Sequence, residues 1–267
     1  LIKFYKAGRK AGVKPIAGCD IWLQNDEDRD KPHRLLLLVR THQGYLNLCD
    51  ILTRSWLDNQ YMGRAEVRAE WLLGKEGLIV LSGGRGGDVG QALEAGRDDE
   101  ARTLAAKWAK AFPGSYYIEL QRSGADGDEA YVQAALRLAA RLDLPVVATH
   151  PVKFLDAGDF RAHEARVCIA QGEQLANPKR PRRFTQEQYL LSSQDMAQRF
   201  ADVPSALANT VEIAKRCNLT LHLGTPCLPN FPTPEGVTLD DYLVELAETG
   251  LQKRMAQLFP DEAERQA

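Results

Sequence analysis

Five histidines, His33, His42, His150, His163 and His222, are the side chains best suited here to hold a metal or carry a proton. No two of them stand as H-x-H or H-x-x-x-H. Zinc and similar metals need several nitrogen, sulfur or oxygen ligands converging on one point, so a metal centre would have to be assembled from separate segments. His33 stands just before the apolar run 34–39 (RLLLLV), and Asp20 lies inside the preceding stretch 15–23 (PIAGCDIWL). Adjacent strands could bring the pair together, although the spacing alone fits a structural role for each better than ligation. His150 ends the run 145–149 (PVVAT) and is followed by Pro151; ligands of α/β enzymes bind just beyond the carboxyl ends of such strands. His163 and Glu164 fall in DFRAHEAR, which reads as the first turns of a helix with Asp159 as its cap. A helix-start carboxylate is the favoured reading of Glu164.

Two further stretches invite a phosphate. The glycine-rich 82–90 (SGGRGGDVG) follows an apolar run, but it lacks the Gly-Lys-Ser/Thr ending of a P-loop and its spacing is not G-x-G-x-x-G. A strand-to-helix turn that needs positive φ angles fits it better. The stretch 178–183 (PKRPRR) carries four positive charges in six residues, kept extended by two prolines. It could touch a phosphate backbone or be a solvated basic turn. The five cysteines, Cys19, Cys49, Cys168, Cys217 and Cys227, are scattered with no C-x-x-C pair, which suits a reducing cytosol and argues against a disulfide framework or a zinc knuckle.

The elements that must position these residues alternate. Helices fit 1–11, 45–57, 88–95, 98–111, 129–142, 159–171, 193–200 and 204–216; strands fit 15–23, 34–39, 77–81, 116–120 and 145–149. Such alternation argues for βα units and a parallel sheet or barrel. After residue 223 the texture changes: GTPCLPNFPTPEGV holds four prolines and two glycines, which excludes a helix or a central strand. A last helix is expected from Thr238-x-x-Asp241, similar to a capping box, with Leu243, Leu246, Ala247, Leu251, Met255 and Leu258 as its apolar stripe. The formal net charge of −2 does not favour a dedicated nucleic-acid-binding domain, and no run is long and apolar enough for a membrane span.

Six segments occur in an order that resembles one family: LIKFY (1–5), GVKPIAG (12–18), GY-x-NL (44–48), EGLIVLSGG (76–84), LPVVAT (144–149) and ANTVEIAKRC (208–217). Together they look like the N-terminal region of the alpha subunits of bacterial DNA polymerase III, the replicative C-family polymerases, over essentially the whole chain. The resemblance implies an α/β fold, a distorted β/α barrel of the polymerase-and-histidinol-phosphatase (PHP) type, truncated at its N-terminus because the chain opens on Leu1 inside an amphipathic pattern. It implies a PHP domain over 1–222, a Pro-rich connector over 223–237 and the first palm helix over 238–267. An open barrel edge would make the chain less stable than one with its N-terminus restored.

The resemblance also bears on the site. Family members with a working PHP metal centre carry an acidic residue where Asp20 stands and a histidine where His33 stands. They carry a cysteine where this chain has Gly84, and an Asp-x-His pair where it has Pro151 and Lys153. His150 takes the place of the family's asparagine, beside the ligand positions. Two positions persist and three are replaced, so the expectation is a degenerate PHP domain with no intact metal site, no catalytic residue and no cofactor of its own. The implied role is a scaffold docking the proofreading exonuclease subunit. The parent would be a cytoplasmic DNA-directed DNA polymerase, with Mg2+ held by palm carboxylates downstream, working with the sliding clamp, the clamp-loader subunits and DNA, and with no membrane. Two rivals remain: a stand-alone metal-dependent PHP phosphoesterase, and a family member specialised for error-prone synthesis.

Overall fold

The computed structural model describes residues 1–226 and 230–262, which fall into two compact units, Leu1–Thr220 and Leu221–Ala267. The first unit runs α1 (Ile2–Lys10), β1 (Gly18–Leu23), β2 (His33–Val39), α2 (His42–Asp58), β3 (Gln60–Tyr61), β4 (Arg64–Val67), β5 (Leu78–Leu81), α3 (Asp88–Glu94), α4 (Asp98–Ala111), β6 (Tyr116–Gln121), α5 (Asp128–Leu142), β7 (Val146–Thr149), α6 (Phe160–Gln171), α7 (Ser193–Arg199) and α8 (Pro204–Arg216). Its fold is α/β, with the strands in one row ordered β3-β4-β1-β2-β5-β6-β7.

The parallel arrangement expected from alternation holds only for part of this row. β5, β6 and β7 are parallel, each joined to the next through helices, as parallel pairing requires. β1 and β2 are antiparallel, and β2 is antiparallel to β5. The reason is the connection: a helix-free loop over residues 24–32 joins β1 to β2, and such a link returns the chain beside the strand it has left. The hairpin β3–β4 was not legible as strands. Its turn uses Met62 and Gly63, both at positive φ, the pattern of a tight hairpin. It is fastened by Glu66, fully buried on β4, which takes Arg29 on one oxygen and Arg64 on the other at 2.6–3.0 Å.

One face of the sheet buries Ile21, Leu23, Leu35, Leu37 and Val39, the odd-numbered positions of β1 and β2. The other face carries Ile79, Leu81, Tyr117 and Val147, joined by Ile213 of α8 and Cys217, with Leu36 and Leu38 only partly covered beside them. α2 buries Leu48, Ile51 and Ser55, while Leu52 is only half-buried. On α5 the buried set is Tyr131, Val132, Ala135, Leu138 and Ala139, while Ala134 and Leu136 sit half-exposed on its flank.

The second unit contains α9 (Leu239–Leu258), whose N-terminus is capped as expected: Thr238 Oγ1 accepts from the Asp241 N–H at 3.2 Å. Leu243, Leu246 and Leu251 of its apolar stripe are exposed. Of the expected connector, Cys227, Leu228 and Pro229 lie outside the described residues, and the described remainder of 223–237 forms neither helix nor strand.

The entry of α2 leaves no space for a side chain at Gly44: a Cβ there would stand 1.8 Å from the Gly77 carbonyl oxygen. Forcing a methyl against backbone moves the helix off the sheet. Gly44→Ala should lower stability by at least about 2 kcal/mol, whereas Gly158→Ala, with nothing within 4 Å, should stay within about 0.5 kcal/mol. Urea denaturation midpoints measure both, and equal midpoints would contradict this account of the α2–β5 contact.

Candidate functional site

Side chains alternate between the two faces of a strand, and residues paired across an antiparallel ladder share a face. Asp20 pairs with Leu36 and Trp22 with Arg34, which puts Asp20 and Arg34 on the Leu36 face. Leu36 pairs with Leu81, Leu81 with Tyr117, and Glu119 with Val147. Asp20, Arg34, Glu119, Gln121 and Thr149 therefore share one face. They cluster at the carboxyl ends of β5–β7, above the apolar floor of Ile79, Leu81, Tyr117 and Val147.

Their contacts are specific. Arg34 donates from Nε to Asp20 Oδ1 at 2.8 Å and closes an ion pair from a terminal nitrogen at 2.6 Å. Glu119 is fully buried; its Oε1 accepts from Thr149 Oγ1 at 2.5 Å and from Gln121 Nε2 at 2.9 Å, while Oε2 has no partner. Its backbone is pinned as well, the N–H donating to Ser82 Oγ and the carbonyl accepting from Tyr131. Burial pushes the Glu119 carboxyl above its ordinary range; the Thr149 hydrogen bond, the Arg34 charge and the Gln121 hydrogen bond oppose this, and Asp20 adds to it.

His33 stands elsewhere. It pairs with Leu23 and so faces the opposite side of the sheet from Asp20. There it lies beside Asp88, a buried carboxylate that accepts from Trp108 Nε1 at 2.7 Å and from the Val89 N–H at 2.8 Å. Burial raises the Asp88 carboxyl, and the nearby His33 is among the groups that counter it. His33 Nδ1 is buried with no hydrogen-bond partner.

The other positions are structural in their surroundings. Gly84 follows Gly83, whose φ of 81° lets the turn pass where a Cβ would stand 2.0 Å from the Arg34 carbonyl. A Cβ on Gly84 would meet the Gln121 side chain at 3.3 Å. The glycine-rich stretch is the strand-to-helix turn expected, closed by Arg85 bonding Glu94, the Asp126 carbonyl and Asp128. Beyond β7, Pro151 offers only its carbonyl, to Gln188 Nε2, and Lys153 lays its ammonium 5.7 Å from the centre of the Phe184 ring. His150 donates from Nε2 to the Glu187 carbonyl at 2.9 Å, which ties the ring to that segment, and burial lowers its pKa.

Two sequence-based expectations change. Glu164 is not a helix-start carboxylate: it lies in the second turn of α6, buried, and ion-paired to Arg180. That contact also draws one arginine of the basic stretch 178–183 out of solvent, its side chain only 9% exposed. The site residue that sequence reasoning missed is Glu119. A lone carboxylate inside the buried run YYIEL, at the parity of Tyr117, was the available signal.

This donor set does not suit a divalent cation. Asp20 is already neutralised by a guanidinium, Glu119 Oε1 is taken by Thr149 and Gln121, and His33 faces away. Among the described residues no three His, Cys, Asp or Glu side chains converge.

A family model described as the PHP domain matches residues 1–123. The DNA polymerase III subunit alpha of Neisseria meningitidis serogroup B is 52% identical over all of this chain and 24% of its own length. The protein of the same description from Escherichia coli K12 is 46% identical over 99% of this chain and 23% of its length, and that of Pseudomonas aeruginosa 44% over 97% and 22%. The chain thus spans about a quarter of the length of these curated relatives.

The Glu119 environment sets a pH dependence. A carboxyl whose folded pKa is raised binds its proton more tightly in the folded state, so stability falls as pH climbs above the ordinary glutamate value near 4.5. Glu119→Gln keeps the shape and removes the ionisation. The variant should gain stability relative to the parent as pH rises from 5 to 8, with the advantage vanishing toward pH 4. A stability difference that does not vary with pH in thermal melts would refute the assignment.

Proposed function

From the similarity of this chain, along its whole length, to DNA polymerase III alpha subunits, we propose that it is the PHP section of such a subunit, the replicative DNA-directed DNA polymerase. Template-directed synthesis would be the work of the whole protein, with Mg2+ held by palm carboxylates outside residues 1–267 and residues 238–267 leading into that palm. Within the section itself the PHP fold serves as a metal-free scaffold rather than a catalyst. The observation that carries this is the Arg34 guanidinium seated on Asp20 at 2.6–2.8 Å, in the position where a metal centre would need that carboxylate free. A cation of the chain itself satisfies the charge, at a modest gain typical of a partly exposed pair.

A scaffold at this place fits a role in holding the proofreading exonuclease subunit, with the sliding clamp and clamp-loader subunits as further partners and DNA engaged through the whole protein. No helix of the described residues is long and apolar enough to cross a membrane, and a cytoplasmic location fits a replication subunit. The free-standing phosphoesterase reading needs an intact cluster, at whose expected positions this chain has Gly84, Pro151 and Lys153 and an Asp20 already paired with Arg34.

The test uses the intact protein that carries this chain. An Asp20→Asn, Glu119→Gln double variant should extend a primed template as fast as the parent and retain the exonuclease subunit in gel filtration. Hydrolysis of p-nitrophenyl phosphate that needs Mn2+ or Zn2+ and disappears in this variant would restore the phosphoesterase reading and defeat the scaffold.

A further inference from the structure

At the end of the sheet opposite Asp20 and Glu119, the amino ends of β5 and β6 border a hollow of about 880 Å³. Arg40, Lys107 and Lys110 line it, and Leu73 and Pro113 form an apolar part of its rim. None of the three cations makes an ion pair or a side-chain hydrogen bond among the described residues. Lys75, also in the wall, is tied to Asp50 at 2.7 Å, and Glu76 is the one carboxylate of the lining.

Two more cations stand behind this wall, held by neutral groups. Arg216 donates to Ser115 Oγ at 2.8 Å, itself a lining residue, and to Tyr117 Oη at 2.7 Å. Lys14 Nζ bonds the Ala214 carbonyl at 2.6 Å and Asn218 Oδ1 at 2.7 Å, and the Asn218 N–H bonds the Arg40 carbonyl. Hydroxyl and amide oxygens orient these side chains without cancelling their charge. Five positive charges without an ion-pair partner among the described residues, three in the lining and two behind it, thus face the single lining carboxylate of Glu76, in a chain whose formal net charge is −2. Lys110 lies in the last turn of α4, where the helix dipole favours it; that accounts for one of the five and leaves Lys107, Arg40, Lys14 and Arg216 without such a reason.

We propose that this hollow docks an acidic peptide segment of a protein partner, its carboxylates bonded by Arg40, Lys107 and Lys110 and one of its apolar side chains set against Leu73 and Pro113. Arginine and lysine clusters read acidic motifs through charge-assisted hydrogen bonds, and the volume lies in the range of sites that enclose a ligand. A nucleic-acid strand is the less suitable occupant. The one aromatic ring in the lining, Phe112, is 5% exposed and offers no face for a base to stack on.

The test measures fluorescence anisotropy with the intact protein at low salt. The probes are a short labelled peptide alternating glutamate and leucine, the same peptide with glutamine for glutamate, and a labelled oligothymidylate. The acidic peptide should bind saturably, the glutamine version at least about tenfold more weakly. An Arg40→Gln, Lys107→Gln, Lys110→Gln variant with an unchanged melting temperature should lose binding by at least a similar factor. If that variant is unstable, Arg40→Glu, Lys110→Glu should instead take up a lysine–leucine peptide. No saturable binding of the acidic peptide, equal binding of its glutamine version, equal binding by the triple variant, or tighter binding of the oligothymidylate would each overturn the proposal.

Discussion

The alternation of side chains along β2 is the constraint on which the rest of this structure depends. Arg34 and His33 are adjacent in sequence, and a strand sends neighbours to opposite faces. Because β2 runs antiparallel to both β1 and β5, its first residues lie beside the last residues of those strands. Arg34 is thereby delivered to Asp20 and to the neighbourhood of Glu119, while His33 is delivered to Asp88 and Trp108. A slip of one residue would exchange the two, placing a histidine beside the carboxylates and an arginine in the helix-covered layer.

From this follows a separation of charge between the two ends of the sheet. At the carboxyl ends, Asp20 is paired with Arg34, and Glu119 is bonded by Thr149 and Gln121. Lining a shallow hollow nearby, Arg122 holds both Glu129 and Asp202 while Arg199 holds Glu187. Charges there are largely matched within the chain. At the amino ends, Lys14 and Arg216 are positioned by neutral oxygens, and the side chains of Arg40, Lys107 and Lys110 make no bond among the described residues, so positive charge is left for something outside the chain to meet. Unmatched charge costs little in a solvated hollow and gains more from a bound carboxylate that excludes water.

The buried carboxylates show the same economy by three routes. Glu66 is held between two arginines, Glu164 by one, and Asp88 by the Trp108 indole and a backbone N–H. Burial without such partners would drive each toward its neutral form. Glu119, whose donors are all uncharged and whose second oxygen is unpartnered, is where that tendency is least answered.

Much of the fold was legible in the residues. The apolar runs RLLLLV, GLIVL and PVVAT are strands within a residue of where their composition puts them, and Thr238 marks a helix start by its local chemistry. Local propensity and hydrophobic period act over a few residues, so a sequence displays them directly. The resemblance of six ordered segments to one family was equally present in the sequence, and with it the expectation that Gly84, Pro151 and Lys153 stand where that family's ligands would. What the residues could not display was which distant side chains meet. That β1 and β2 are antiparallel, that Asp20 and His33 face apart, that Arg34 occupies Asp20, and that Glu119, Thr149 and Gln121 form one bonded group depend on register between strands. So does the gathering of Lys14, Arg40, Lys107, Lys110 and Arg216, spread over some two hundred residues, at one end of the sheet. Register is fixed by burial on a whole face at once, a property of the assembled sheet rather than of any segment.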